Sequence, residues 1–234
     1  GKKTIFKKVS PDESAVQVGD EAILYSNHVP TYISTNRRLA VKKILDDVNP
    51  DFILLDDGFQ DKSLFKDKNI LMVNGARGFG NGLCLPAGPL RELIKPALKK
   101  AQFLIIVGDD KTKIKSMYKN INIDTLTASI KPLYVDKNKK YLAFSGIGNN
   151  QSFFDTLINN NCTVLKTVEF PDHHFFSEND LNKLKKTASD NNLSLITTEK
   201  DFVRIPKEKR NGIECLKVKI KLHNMDKFMH KLVN

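Results

Sequence analysis

Tryptophan is missing from this chain of 234 residues, and cysteine occurs three times, at Cys84, Cys162 and Cys215. Three widely separated cysteines with no C-x-x-C pair make neither a disulfide framework nor a zinc site, and they suit a reducing cytosol. No apolar run reaches the roughly 18 residues of a membrane span. The opening residues Gly1-Lys2-Lys3-Thr4 lack the apolar core of a signal peptide. Absent too are an arginine-rich arm and any series of aromatics interleaved with basic residues, which argues against a nucleic-acid partner. No repeat or low-complexity segment interrupts the chain.

What is present is a 40% hydrophobic content, enough for one large or two modest domains with cores of their own. Lys and Arg number 38 against 27 Asp and Glu, a net charge of +11. The excess is spread in short groups, Lys2-Lys3, Lys7-Lys8, Lys99-Lys100, Lys139-Lys140 and Lys185-Lys186. Such a distribution is that of a solvated surface, and it also suits approach to a polyanion or an anionic membrane face.

Short runs rich in Ile, Leu and Val at 31–34, 52–55, 70–73 and 103–107 alternate with helix-compatible stretches at 38–46 and 90–100. Continuous apolar strands alternating with helices predict an α/β fold, a parallel sheet covered on both faces. The pattern restarts near 125–131, and 133–135, 141–144, 163–168, 193–197 and 216–220 read as a second set of strands. Helices are expected at 151–159 and 177–189, the latter opened by Ser177 with Asp180 three residues on, a variant of the capping box. A boundary near residue 130 divides a first domain, 1–129, from a smaller α/β domain, 130–234.

Three places can carry chemistry. The run 52–55 ends in Asp56-Asp57-Gly58-Phe59-Gln60. Asp-Asp-Gly is a turn sequence, but open α/β sheets bind ligands outside the carboxyl ends of such strands. Mg²⁺ takes hard oxygen ligands from one or two carboxylates with phosphate and water, so Asp56 and Asp57 are candidate metal ligands. Gln60 could orient a phosphate or a metal-bound water. The phosphate loop that should accompany such a site, G-x-x-x-x-G-K-[ST], matches nothing between Gly1 and Asp56.

The second place is the Gly- and Pro-rich loop 80–92, with a helix expected to start near Pro89. Arg91 and Glu92 would then lie in its first turn, one to hold phosphate and the other to complete a metal shell; the loop could equally be a structural crossover. The third is a pair remote in sequence, Asp20 in Val18-Gly19-Asp20-Glu21 and His173 in Pro171-Asp172-His173-His174. Singly each suits surface or capping; together they would form an Asp–His dyad able to act as a base toward an alcohol.

Six blocks in order, Val18–Glu21, Asp56–Gln60, 80–92, Phe144–Asn149, Pro171–His174 and the Thr-Thr-Glu-Lys-Asp-Phe-Val-Arg stretch at 197–204, resemble the tetraacyldisaccharide 4'-kinases, the lipid A 4'-kinases of Gram-negative bacteria. The resemblance spans almost the whole chain, and 80–92 is its most specific part. It implies a P-loop-kinase-like fold with a second smaller domain, at the cytoplasmic face of the inner membrane. The implied reaction moves the γ-phosphate of ATP, with Mg²⁺, to the 4'-hydroxyl of a tetraacylated glucosamine disaccharide phosphate. It also implies that Asp20 and His173 are the catalytic pair, that Asp56, Asp57 and Glu92 surround the metal and nucleotide, and that Gln60 and Arg91 are polar site positions.

Two departures stand out. The family's usual start, with a membrane-associating helix, a Gly-rich loop with its Lys, and an Arg-Gly-Tyr-Gly stretch, has no match here, and Asp61 replaces the histidine that commonly follows Asp-Asp-Gly-x-Gln. A fragment or split form of the enzyme is therefore expected, poor in ATP binding without a separate P-loop segment. The alternative is a decayed, non-catalytic remnant that binds a glycolipid or a partner protein.

Overall fold

The computed structural model describes residues 5–233; the Lys2-Lys3 pair and the rest of residues 1–4 lie outside the described residues, as does Asn234. In chain order the elements are β1 (Phe6–Val9), α1 (Ala15–Val18), α2 (Asp20–Ser26), β2 (Thr31–Ser34), α3 (Arg37–Val48), β3 (Ile70–Asn74), α4 (Ile94–Lys100), β4 (Phe103–Val107), α5 (Ile114–Met117) and β5 (Asp124–Pro132). There follow β6 (Lys140–Ser145), α6 (Asn150–Asn159), β7 (Thr163–Glu169), α7 (Glu178–Asp190), β8 (Ser194–Thr198), α8 (Glu199–Arg204), β9 (Ile213–Leu216), β10 (Val218–Leu222) and α9 (Met225–Val233). They form two compact units, one of residues up to Asn49 with Pro132–Val218, the other of Pro50–Lys131 with the residues from Lys219 on.

The chain thus passes between units after residues 49, 131 and 218. The second passage lies beside the boundary read from the sequence near residue 130; the first and third have no counterpart in that reading.

In the first unit β6, β7, β8 and β9 make a parallel sheet in the order β7-β6-β8-β9. Alternate residues of the central strands feed opposite faces. Leu142, Phe144 and Leu195 meet Leu181, Leu184 and Ala188 of α7 on one side; Tyr141, Ala143 and Ile196 meet Phe153, Phe154 and Leu157 of α6 on the other. Helices on both faces are what a run of buried apolar residues requires. α7 opens with the expected capping box, Ser177 accepting from the Asp180 N–H while Asp180 accepts from the Ser177 N–H. The antiparallel pair β1–β2 belongs to this unit, as does a small core of Val9, Ala15, Val18 and Ile23 that seats α2 against Val203 of α8.

The second unit is a sheet in the order β10-β5-β4-β3, its strands β3, β4 and β5 parallel. Leu104 and Ile106 pack on Leu98 of α4 and Ile114 of α5, whereas Phe103 and Ile105 pack on Phe228 of α9.

Some expected elements do not form. Residues 52–55 make no strand, and Phe52 and Leu54 are exposed. An apolar run becomes a strand only where a neighbour takes up its N–H and C=O groups, and β3 ends the sheet among the described residues. Residues 133–135 are likewise irregular, and the run 216–220 is divided between β9 and β10. The helix expected from Pro89 begins at Ile94.

Candidate active site

Asp20 is the first residue of α2, directly after Gly19. Its side chain is 10% exposed, and the Val18–Ile23 core turns the start of α2 toward the end of α8. There Arg204, only 2% exposed, grips it. Arg204 Nε donates to Asp20 Oδ2 over 2.9 Å and Nη2 donates to the same oxygen, while Oδ1 accepts from the Glu21 N–H at 3.0 Å. Burial alone would raise the Asp20 pKa; the hydrogen bonds and charge of Arg204, helped by the Glu21 N–H and by Lys200, outweigh it and hold the carboxyl below its ordinary value.

The other arm of Arg204 is committed as well. Nη1 donates to the Gly146 carbonyl at 2.7 Å and to Asp201 Oδ1 at 3.1 Å. Asp201 also accepts from the Gly146 N–H at 3.0 Å and from the Thr198 hydroxyl at 2.7 Å, and burial raises its pKa in spite of these partners. Thr198 in turn caps α8 by accepting from the Asp201 N–H. The stretch 197–204 is therefore a strand end, a cap and one helix arranged to deliver an arginine.

The Pro171–His174 turn is brought to the same place by Gly146. A Cβ on this glycine would stand 2.9 Å from the Pro171 carbonyl oxygen, so no larger residue lets the turn close. The His173 N–H bonds the Gly146 carbonyl at 3.1 Å, in a left-handed backbone conformation of φ 59°. Its ring is 65% exposed, with Nδ1 3.3 Å from Arg204 Nη2 and 3.9 Å from Asp20 Oδ2. The two sequence-predicted partners thus come together inside one unit, across a gap about 1 Å beyond hydrogen bonding. The residues up to Asn49, which carry Asp20, and Pro132–Val218, which carries His173, are one body, although the boundary near residue 130 separates them in the sequence. His174 does other work, stacking on Phe170 at 4.6 Å and bonding Asp180 at the cap of α7.

In the second unit, Asp57 has φ 49° and an ion pair with Arg91 at 2.5 Å, both side chains well exposed. Glu92 accepts from Gln60 at 3.0 Å and from Lys100 at 2.7 Å; burial would raise its pKa, but these donors lower it. Lys100 also stands 4.7 Å over the Phe59 ring. An open groove of about 300 Å³ beside Gln60 is lined by Lys62, Lys66 and Lys100 together with Asp61, Phe59, Leu64 and Phe65.

Arg91 and Glu92 do not sit in a helix's first turn, because the 80–92 segment closes on itself first. Asn81 accepts from the Leu83 N–H and donates to the Ala87 carbonyl, and the Leu90 N–H bonds Leu83. Gly88 is held so tightly that a Cβ would stand 2.2 Å from Asn81 Oδ1. The consequence is a rigid loop that leaves Arg91 and Glu92 facing the Asp57–Gln60 turn.

Among the described residues no group of three or more His, Cys, Asp or Glu side chains is gathered in a way that could hold a metal. Glu92 is engaged with Gln60 and Lys100, Asp57 with Arg91. The adjacent pair Asp56–Asp57 still offers the hard oxygens Mg²⁺ takes, since that ion commonly uses one or two carboxylates and completes its shell with phosphate and water. Arg204, Asp201 and Gly146 were not singled out from the sequence, although all three lie in blocks that carry the resemblance.

A family model described as tetraacyldisaccharide-1-P 4'-kinase matches residues 1–234. Curated proteins named tetraacyldisaccharide 4'-kinase are similar to the chain. That of Rickettsia akari is 35% identical over 96% of this chain and 69% of its own length. Those of Gluconobacter oxydans and Rickettsia bellii are 34% and 36% identical, over 91% and 96% of this chain and 65% and 70% of their own lengths. The chain therefore spans about two thirds of these relatives. Among solved structures, an LpxK from Aquifex aeolicus in complex with ATP shares the fold, with a TM-score of 0.74 and 24% identity over 100% of this chain and 76% of that one.

Proposed function

The chain belongs to the tetraacyldisaccharide-1-P 4'-kinase family, and we propose that it serves lipid A biosynthesis by moving the γ-phosphoryl group of ATP to the 4'-hydroxyl of a tetraacylated glucosamine disaccharide phosphate. One observation carries the assignment of roles: a buried carboxylate, Asp20, held charged by Arg204 and placed beside an exposed imidazole, His173. That is the equipment for taking a proton from an alcohol. His173 is the base, receiving the hydroxyl proton on one ring nitrogen as the new O–P bond forms and ADP leaves. Asp20, once about 1 Å closer, accepts from the other nitrogen and stabilises the imidazolium.

Phosphoryl transfer otherwise needs positioning and charge neutralisation. In the second unit Arg91, Gln60 and the lysines near Glu92 supply donors for phosphate, and Asp56 and Asp57 are the residues that would hold Mg²⁺, with Glu92 beside them. Bound there, the ion would neutralise phosphate charge. A Gly-rich phosphate cradle with its Lys is not among these 234 residues. The acceptor is an anionic lipid, and the net charge of +11 suits peripheral work on the cytoplasmic face of the inner membrane. No helix among the described residues is long and apolar enough to cross a membrane.

The test joins this chain to the part of the Rickettsia bellii relative that it does not span and incubates the product with ATP, Mg²⁺ and tetraacyldisaccharide 1-phosphate, with the lipids resolved by thin-layer chromatography. A 4'-phosphorylated lipid is expected. A folded chimera that binds the lipid but makes no product, under conditions where the intact relative turns over, would overturn the kinase reading in favour of a binding remnant.

A further inference from the structure

Arg204 has more contacts than an ion pair with Asp20 requires. Its guanidinium fork spans four acceptors: Asp20 Oδ2 through Nε and Nη2, the Gly146 carbonyl and Asp201 through Nη1, and His173 Nδ1 through Nη2. These come from the start of α2, the turn after β6, the first turn of α8 and the turn after β7. One side chain therefore ties together every segment that shapes the pair. A guanidinium only donates. The His173 nitrogen it meets must then present a lone pair, and a neutral His173 carries its proton on Nε2, next to Asp172, whose Oδ2 is 3.9 Å away.

We propose that Arg204 is the positioning residue of the Asp20–His173 pair: it fixes the carboxylate, and by donating to Nδ1 it sets which nitrogen of the resting imidazole is bare. The resting pair is thus poised rather than engaged. With Nδ1 taken by Arg204, Asp20 receives no hydrogen bond from the ring, and Nε2 cannot accept a proton. Engagement exchanges one contact for another: as the ring leaves Nη2, water takes the proton from Nε2 of the exposed ring and delivers one to Nδ1, whose N–H turns to Asp20, leaving Nε2 bare as the base. The exposed, left-handed turn that carries His173 lets the ring move while buried Arg204 and Asp20 stay.

This deepens the kinase reading and rests on it only for the catalytic consequence; the positioning itself is measurable without turnover. The first measurement uses the native 234-residue chain labelled with ¹⁵N, the His173 signals being identified by their loss in His173→Asn. At a pH where the ring is neutral, Nδ1 is expected to be the unprotonated nitrogen. A proton on Nδ1 would overturn the proposal.

The second measurement follows the Asp20 carboxyl by ¹³C through an acid titration. The charged or donor groups facing it are Arg204 and Lys200 from α8, the Glu21 N–H from α2, and His173, with Asp201 behind Arg204. In the native chain its midpoint should lie below the ordinary carboxylate value. In Arg204→Met it should rise above that value, because burial is then opposed by little, and the His173 proton should move to Nδ1. Arg204→Lys, which keeps the charge and loses the fork, should leave Asp20 low while releasing Nδ1; this variant covers the case in which Arg204→Met does not fold. If Asp20 and the tautomer are unchanged in a folded Arg204 variant, the proposal fails.

In the active chimera, Arg204→Lys should lower kcat about 10²-fold, the scale of a misplaced catalytic group, with KM for ATP and lipid little changed. Resonances that respond as expected while turnover does not would uphold the positioning and sink the kinase role of the pair.

Discussion

Arg204 and Arg91 each hold one aspartate, but the surroundings differ. The first guanidinium is 2% exposed and its partner Asp20 10%; the second is 59% exposed and Asp57 62%. Around Arg204 the guanidinium reaches four acceptors, from α2, α8 and the turns after β6 and β7, so the charges are buried and held before any ligand arrives. The Arg91–Asp57 pair lies in the open, and beside it Glu92, 24% exposed, takes donors from Gln60 and Lys100. The contrast separates two kinds of preparation. On the proposed roles, a proton-transfer pair needs its carboxylate fixed, which burial against Arg204 achieves, whereas a site for a highly charged nucleotide can leave its final ordering to the ligand's own charge.

The strongest way to break this comparison is catalytic. In the chimera, Asp20→Ala and His173→Ala should each lower kcat by roughly 10²–10⁴, and the double variant should lose little more than either one. Additive losses in steady-state kinetics would mean that the two act separately and that the buried site is not a unit.

Next comes stability. Asp201→Ala removes a fully buried carboxylate and strands part of the Arg204 fork, which should cost about 3–5 kcal/mol in urea unfolding. Asp57→Ala, the matching deletion at the exposed pair, should cost less than about 1 kcal/mol, as surface ion pairs do. Equal costs would erase the distinction. On the proposed metal-holding role, the same variant should weaken Mg-ATP binding in the chimera, measured by calorimetry.

The pH dependence sharpens the comparison with the smallest effect. Asp20 is held below its ordinary value of 3.8, so the stability it contributes is complete above that value and drains away as pH falls through its lower folded-state value. The destabilisation caused by Asp20→Asn should therefore be largest near neutrality and shrink in acid. Asp201, raised by burial, contributes with the opposite sign, so the difference between the two proteins is the quantity to follow. A difference that grows as pH falls below 3.8 would contradict the ion-pair account.

How much of this was legible beforehand follows from the range of each signal. Local signals read well: the capping box at Ser177 and Asp180, the buried run that became β6, and the parallel sheets with helices on both faces. The strand at 52–55 failed because apolar composition says nothing about whether a partner strand is present. Arg91 and Glu92, expected to hold phosphate and to complete a metal shell, lie against Asp57 and Gln60, but the helix expected through them leaves out Asn81 and Gly88, which close the loop by contacts within it. Arg204 was passed over because its meaning lies in an aspartate 184 positions away. A basic residue at the end of a short helix looks like an ordinary dipole partner until the fold supplies that carboxylate.

That separation has a consequence in time. On a ribosome adding about 5–20 residues per second, Asp20 is made roughly 10–40 s before the arginine that neutralises it. Throughout that interval the α2 segment has no counter-charge from α8, and the intervening Pro50–Lys131 stretch, which belongs to the other unit, can gather its own core while the first unit waits. The Asp20 carboxylate would then lose its water late, and a nascent chain released short of Arg204 would expose it to solvent and to the quality-control machinery of the cell.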